Sequence, residues 1–177
     1  MSIHRLDPSN ALLYRALMLE AYALHPHAFT SSVGERARLP LSWWEARLKP
    51  GPRPSELVLG AFEDDHIAGV AGLSFESREK IRHKAMLFGM YVPLRFRRFG
   101  LGRQLVQAAV AEARLRSGIK VVQLTVTQGN RAAQALYEQC GFVQFGLEPL
   151  AVAVGTEFVS KVHMWRSTDP SHARAPV

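Results

Sequence analysis

The sequence has only one cysteine, Cys140, among its 177 residues. A single cysteine cannot close an internal disulfide or form a thiolate metal cluster, and its place just before Gly141 favours a thiol packed at a helix end over a catalytic one. No apolar run approaches the roughly 20 residues that a membrane helix needs. The first residues, MSIHRLDPSN, lack the basic-then-apolar order of a signal peptide, so we expect a cytoplasmic protein.

Acidic residues are also few, with 15 Asp and Glu against 22 Lys and Arg and a formal charge of +7. This balance favours acidic ligands. The basic residues are dispersed apart from a cluster over residues 95–103. No RRM, KH or paired zinc-ligand signature is present, which argues against a nucleic acid partner. A phosphorylated small molecule accounts for the one basic cluster more economically.

The length and the composition suit one domain with a short tail. The chain is 47% apolar and 21% charged, and its 177 residues suffice for one ordinary core but not comfortably for two. We expect a single domain over residues 1–166. Residues 167–177 are polar and contain prolines, and we expect them to form a frayed tail.

Helix signals come before strand signals along the chain. Asp7-Pro8 predicts the start of a helix that ends at His25-Pro26. Its expected apolar positions are Leu13, Ala16, Leu17, Ala21 and Leu24. Capping boxes over residues 32–35 and 42–45 predict two further helices. Strands are then predicted over residues 56–62, 67–75, 86–92, 119–126, 142–145, 150–154 and 157–165.

The chain is organised around residues 85–105, where a strand, a basic turn and a helix follow one another. Residues 86–92 are nearly all apolar, as is typical of a strand covered on both faces, and Pro93 ends the strand. Arginines crowd the turn before Gly100 and Gly102, and an amphipathic helix follows as far as Gly118. The first N–H groups of a helix lack intrahelical partners and form the positive end of its dipole, so this turn predicts an anion site.

The same helix fixes how its two flanking strands pair. Because a whole helix connects residues 86–92 to residues 119–126, the two strands should lie parallel, with a right-handed crossover. Helices, a β-hairpin and then this strand–helix–strand unit together indicate an α/β fold, with a mixed sheet and helices on both faces.

Two motifs resemble those of one known family. The first is R-x-x-G-x-G over residues 97–102, which is neither the dinucleotide fingerprint G-x-G-x-x-G nor a nucleotide P-loop. The second is N-x-x-A-x-x-L-Y-x-x-x-G-F, matched by Asn130, Ala133, Leu136, Tyr137, Gly141 and Phe142. In this order and at this separation they resemble the GCN5-related N-acetyltransferase (GNAT) superfamily. The resemblance is specific over residues 57–142.

The resemblance implies the GNAT fold, in which a mostly antiparallel mixed sheet contains one splayed parallel strand pair, and it implies acetyl-CoA as cofactor. In the family the pantetheine arm fills the splayed gap, and its main-chain contacts here would be Met90, Tyr91 and Val92. The cofactor's pyrophosphate would be held by the N–H groups of Arg98, Phe99, Gly100, Leu101, Gly102 and Arg103. Arg97 is part of the same cofactor-binding segment, with a side chain that supports the loop. Asn130 would contact the cofactor and also cap its own helix, and Tyr137 would lie near the cofactor sulfur.

The reaction that the resemblance implies is direct acetyl transfer to a primary amine in a ternary complex. An alkylamine with a pKa of about 10.4 is mostly ammonium at neutral pH, so a base must accept its proton. A main-chain N–H among residues 90–92 would stabilise the oxyanion, and Tyr137 would protonate the departing thiolate. Members with a carboxylate base on the central strand often carry it where this chain has Phe88. The base is then one of His83, Glu76 and Glu63 or a water chain, and His83 is favoured for its pKa of about 6.5.

The sequence leaves the acceptor open. A small-molecule amine is the first expectation, and a protein N-terminus or a lysine side chain is the alternative on the same fold. A non-catalytic module that binds CoA or nucleic acid is a further alternative, since the central strand lacks a carboxylate. The oligomeric state is open as well, a homodimer included.

Overall fold

The structure is a computed structural model that describes residues 1–97 and 99–169. Its helices are α1 (Ala11–Leu24), α2 (Val33–Ala37), α3 (Leu41–Leu48), α4 (Leu101–Leu115) and α5 (Arg131–Gln139). Its strands are β1 (Ser2–Arg5), β2 (Glu56–Glu63), β3 (His66–Phe75), β4 (Lys84–Tyr91), β5 (Val121–Thr127), β6 (Val143–Val154) and β7 (Glu157–Ser167). Within these residues, none of the helices combines the length and the apolar character needed to cross a bilayer.

The strands form one seven-stranded sheet in the order β1-β2-β3-β4-β5-β7-β6. Neighbouring strands are antiparallel except for β4 and β5, which α4 connects and which are parallel. A crossover helix brings the chain back to the same end of the sheet, so the next strand runs in the same direction. The predicted α/β class, with a mostly antiparallel sheet and one parallel pair, is therefore confirmed.

The parallel pair opens along its length. Residues of β4 and β5 are in register only at Lys84–Val121, Ala85–Val122 and Met86–Gln123. Beyond Met86, β4 continues to Tyr91 on the β3 side while β5 continues to Thr127 against β7. The main-chain groups of these strand ends that face each other across the gap are therefore available to a ligand. The predicted splay is present.

Helices cover both faces of the sheet. Leu101, Leu105 and Val106 of α4 are fully buried in the larger apolar cluster, together with Tyr137 of α5. Tyr14 and Met18 of α1 pack with Trp44 of α3 in a second cluster on the opposite face. The strand β4 contributes to both clusters, because successive side chains of a strand point to opposite faces.

The first helix differs from the prediction in its start and in its buried face. A 3-10 turn, Pro8–Asn10, comes first, and Asp7 caps that turn. The face of α1 towards the sheet contains Tyr14 and Met18, whereas Leu13 is 47% exposed. Apolar spacing defines an apolar stripe only loosely, and packing against β3 and α3 selects which side of the helix is buried.

Three other boundaries differ from the predictions. Ser32 caps α2 as expected, by accepting a hydrogen bond from Glu35 N at 3.1 Å, but α3 begins at Leu41 after Pro40 and Ser42 is not its cap. The strand β1 was not predicted, and residues 143–154 form one strand with two register shifts.

The strand β7 extends to Ser167, and the buried Thr168 hydroxyl donates to Ile119 O at 3.0 Å. The first residues assigned to the tail are therefore attached to the sheet. Residues 170–177 lie outside the described part of the chain.

Candidate active site

The basic turn places a glycine immediately before α4, at the position that caps the helix. Gly100 has a φ of +71°, in the left-handed region that glycine adopts without strain. The first helical hydrogen bond is from Gln104 N to Gly100 O at 3.1 Å. The N–H groups of Leu101, Gly102 and Arg103 precede this bond, so they carry the positive end of the helix dipole. Arg98 lies outside the described residues.

Arg97 connects the turn to the end of β4. Its Nε donates a hydrogen bond to Val92 O at 2.8 Å, and its Nη2 lies 3.3 Å from His25 Nε2. Burial first and the nearby Arg97 charge second lower the pKa of His25, which favours the neutral ring. The Arg97 side chain thus holds the turn against both the strand end and the residue that follows α1. Phe99 in the turn and Arg103 in the first turn of α4 are both exposed.

Tyr137 reaches the opened end of β4 from α5. The Asn130 side chain caps this helix by accepting a hydrogen bond from Ala133 N at 3.2 Å. One face of the short helix then packs inward, where Tyr137 is only 8% exposed and donates its hydroxyl hydrogen to Met90 Sδ at 3.6 Å. Burial raises the pKa of Tyr137, so the phenol is protonated at neutral pH.

Gly102 allows α4 to lie close to both β4 and α5. A Cβ atom on Gly102 would lie 3.1 Å from Met90 Cε and 3.2 Å from Leu136 Cδ2, which is tighter than ordinary van der Waals contact. The glycine turn, the end of β4 and the second motif therefore meet at Met90. The structure brings these sequence-predicted residues together although up to 47 positions separate them in the chain.

A cavity lies on the other face of β4. Its volume is about 250 Å³, and it reaches the main chain at Phe88 and Gly89. Gly89 has a φ of +58° and lies where the pairing of β3 with β4 shifts register, so the strand bulges there. The other residues around the cavity come from α1, α2, α3, β2, β3 and the loop after α1, and they are Tyr14, Tyr22, Phe29, Thr30, Ser31, Arg36, Arg47, Glu56 and Ser74.

Tyr91 follows the bulge and faces α1. Its hydroxyl donates to Glu20 Oε1 at 3.0 Å, and Arg95 Nη1 lies 3.9 Å from the same oxygen. Burial, followed by the hydrogen bond to Glu20, raises the pKa of Tyr91 to about 12. Only the main chain of Tyr91 is therefore close to the gap between β4 and β5. Sequence reasoning did not include Glu20, because no local pattern relates it to a strand 71 residues away.

The three acidic or basic groups considered as catalytic bases do not lie at this site. His83 precedes β4 and its carbonyl accepts a hydrogen bond from Lys120 N at 2.8 Å. Six residues of mostly extended chain lie between His83 and Met90, which corresponds to roughly 20 Å. Glu76 lies at the same distant end of β4, where its N–H donates to Lys84 O. Glu63 is paired with His66 in the hairpin of β2 and β3, away from β4.

A buried lysine fastens the loop that follows α1. Lys161 is 4% exposed, and its Nζ donates to Ala28 O at 3.0 Å and to Thr127 Oγ1 at 2.8 Å. The Thr127 hydroxyl in turn donates to His27 O at 2.6 Å. The loop is thereby attached to the end of β5 and to the middle of β7. A lone lysine in a strand gives no signal of this role in the sequence.

Several solved structures share this fold, and acetyltransferases are among them. An acetyltransferase of the GNAT family from Streptococcus pneumoniae is 25% identical with a TM-score of 0.78, over 94% of this chain and 98% of that chain. The Salmonella typhimurium protein yncA, solved with its cofactor acetyl-CoA, is 25% identical with a TM-score of 0.78, over 100% of this chain and 98% of that chain. The fold is also that of a ribosomal-protein-alanine N-acetyltransferase from Brucella melitensis, at 23% identity and a TM-score of 0.76, over 94% of this chain and 99% of that chain.

The family assignment rests on the sequence as well. The model of the acetyltransferase (GNAT) family matches residues 18–142. The chain belongs to this family, which confirms the resemblance found in the two motifs and the acetyl-CoA cofactor expected from it.

The site fits that cofactor. A Cβ atom on Gly100 would meet only Gln104 Nε2, at 3.9 Å, so there is room for a phosphate beside the first turn of α4. Gly102 of this turn and Tyr137 both lie against Met90, which is on the part of β4 that no longer pairs with β5.

Proposed function

We propose that this protein transfers the acetyl group of acetyl-CoA to a small primary amine by direct attack in a ternary complex. The observation that supports it is the meeting of Gly102, Met90 and Tyr137 on one side of the opened strand, with a cavity at Gly89 on the other side. Donor and acceptor would then approach the same point of β4 from opposite faces of the sheet. A cavity of about 250 Å³ suits a small amine.

The N–H groups of Leu101 to Arg103 would hold the diphosphate of the cofactor, where the helix dipole favours negative charge. The main chain of Met90 to Val92 would pair with the amide groups of the pantetheine arm, as an added strand does. The Val92 carbonyl already accepts a hydrogen bond from Arg97, so at Val92 the N–H is the group available. Bound acetyl-CoA supplies an activated thioester.

Tyr137 would donate its proton to the sulfur that leaves. The phenol is protonated because burial raises its pKa. Its hydrogen-bond partner, the Met90 thioether, is a weak acceptor that a stronger acceptor readily replaces. A developing thiolate at this position would therefore replace Met90 as the acceptor of the Tyr137 hydrogen bond.

The ammonium group of the acceptor would first lose a proton to water in the cavity, and the free amine would then attack the thioester carbonyl. His83, Glu76 and Glu63 lie too far from Gly89 to accept that proton directly. Without a neighbouring base, the rate should increase with pH as the free amine becomes more abundant, up to the pKa of the acceptor.

The proposal is tested with a thermal shift and a free-thiol assay. Acetyl-CoA at 100 times its Kd should stabilise the fold by about 2.7 kcal/mol. Tyr137→Phe should reduce turnover about 100- to 10,000-fold, as expected for a lost general acid, with the acetyl-CoA shift unchanged. The retained shift is the control for folding and for cofactor binding. An undiminished rate in this variant would show that Tyr137 has only a structural role.

A further inference from the structure

The cavity on the acceptor side of β4 has an unusual charge balance. Its charged lining residues are Arg36, Arg47 and Glu56. Arg47 Nε lies 2.9 Å from Glu56 Oε2, so these two charges largely compensate each other. Within residues 1–97 and 99–169, no carboxylate forms an ion pair with Arg36. The cavity therefore keeps one positive charge that is not neutralised.

Arg36 is held in place, but not all of its N–H groups have hydrogen-bond partners. Its guanidinium lies 4.7 Å from the centre of the Trp43 ring, and Nη2 donates to Ser31 Oγ at 2.7 Å. Its Nε atom is buried and has no hydrogen-bond partner among the described residues. A guanidinium has five N–H donors, and a buried donor without a partner is costly. This Nε atom is enclosed by protein and out of reach of a ligand, but Nη1 has no hydrogen-bond partner among the described residues, so Arg36 can donate to an anion in the cavity.

Arg47 extends the arginine-lined side of the cavity (Arg36 and Arg47) towards the bulge of β4. Its guanidinium lies 4.9 Å from the Trp43 ring and 4.8 Å from the ring of Phe88, the residue before Gly89. The two arginines thus share Trp43 as a common support. If the anionic group of a small molecule bound to this arginine-lined side, the rest of the molecule would lie next to the bulge of β4.

The arginine-lined side of the cavity also borders a second hollow at the protein surface. A larger hollow of about 690 Å³ adjoins the cavity and shares Arg36, Arg47 and Glu56 with it. Lys49 and Arg53 line this hollow, so its charge is positive as well. A positively charged approach favours the entry of anionic molecules over that of polycationic ones.

We propose, on the basis of the proposed function, that the acceptor is a small amino acid that carries a free carboxylate as well as its amine. Arg36 binds the carboxylate, and the amine then points to Gly89, where the acetyl group is transferred. A planar fork of N–H donors matches a carboxylate in two hydrogen bonds, so Arg36 also sets the orientation of the amine.

The test compares each of a panel of free amino acids with its own carboxamide, which has the same side chain and lacks the negative charge. Acetylation is followed by release of free thiol from acetyl-CoA. At least one acid should be acetylated with a kcat/KM, expressed per free amine at the pH of the assay, about 10- to 100-fold above that of its amide, the range expected for one lost charge-assisted contact. Failure of every acid to exceed its amide overturns the inference, as does a peptide N-terminus that is acetylated faster than any free amino acid.

Arg36 variants separate recognition from folding. Arg36→Gln should raise KM for the preferred acid about 10- to 100-fold and leave the kinetics with the amide unchanged, and Arg36→Lys should restore part of the loss. Arg38→Gln is the matched control, since Arg38 is exposed just after α2. Equal losses with acid and amide would show a structural role and refute the inference.

The experiments distinguish a failure of the carboxylate site from a failure of the proposed function. If amides and acids are acetylated equally well, the acetyltransferase activity stands and the carboxylate site does not. If acetyl-CoA neither stabilises the protein nor releases thiol with any amine, the proposed function fails and the inference with it.

Discussion

The anion site at the start of α4 is tested most sharply by changing Gly100 to Asp and, separately, to Asn. Both residues tolerate the left-handed backbone conformation better than other non-glycine residues, and Gly100 has a φ of +71°. There is also space, since a Cβ would meet only Gln104 Nε2 at 3.9 Å. The two side chains have almost the same size, so the pair differs in one negative charge.

The size of the effect follows from the charge alone. A carboxylate about 5 Å from a diphosphate with about two negative charges costs about 1.7 kcal/mol in a medium like water, and more where the site is shielded. That is roughly a 20-fold higher Kd for acetyl-CoA in Gly100→Asp than in Gly100→Asn. In the free protein the same carboxylate lies near the positive end of the helix dipole, where it does not destabilise the fold. Lost affinity is therefore not caused by unfolding.

The measurement is calorimetric titration of both variants with acetyl-CoA at two salt concentrations. The ratio of the two Kd values should decrease at higher salt, because screening weakens the repulsion. Gly155→Asp is the matched control, since Gly155 has a φ of +61° and no neighbour within 4 Å, and it lies in the turn between β6 and β7. It should bind acetyl-CoA as the unchanged protein does. Equal Kd values for the Asp and Asn variants at Gly100 would refute a diphosphate site at this helix end.

Two further variants test the loop and the buried phenol. Lys161→Met removes the hydrogen bonds to Ala28 and Thr127, of about 1 kcal/mol each. Amide hydrogen exchange over residues 25–31 should then accelerate and the KM for the amine should rise, while the Kd for acetyl-CoA stays unchanged. Unaltered exchange would contradict this role of Lys161. Burial raises the pKa of Tyr137, so the unfolded chain loses this proton before the folded one as the pH rises above about 10. The protein should therefore lose stability relative to Tyr137→Phe above that pH, which urea unfolding at pH 8 and 11 measures; a constant difference would contradict the buried, protonated phenol.

The sequence was informative where chemistry depends on neighbouring residues. Gly100 at the start of a helix, Asn130 as a helix cap and Pro93 after a strand each act within one turn of the chain, so their residue types and spacing are sufficient to predict them. The parallel pairing of β4 and β5 was predictable for a similar reason, because the length of the connection between two strands restricts their direction. The two motifs then indicated the family.

The same reasoning failed where position depends on packing. His83 was favoured as a base for its ordinary pKa, yet the strand direction places it at the end of β4 opposite to Tyr137. The buried side of α1 was only partly predicted: Leu17 and Ala21 are buried as expected, but Leu13 and Leu24 are exposed. Many apolar positions satisfy the helical period, and only contact with β3 and α3 selects among them. Lys161 was not considered at all, because its partners lie far from it in the sequence.

The amino-acid sequence by itself thus determined the class of fold and the cofactor, because short motifs encode helix termini and turns directly. Only the tertiary structure decided which side chains surround the bulge of β4. Arg36, Arg47 and Glu56 come from three different elements and meet at one cavity, and no periodicity or motif relates them. Their charges combine only when the sheet and its helices pack, so the acceptor recognition that we propose depends on the packed structure.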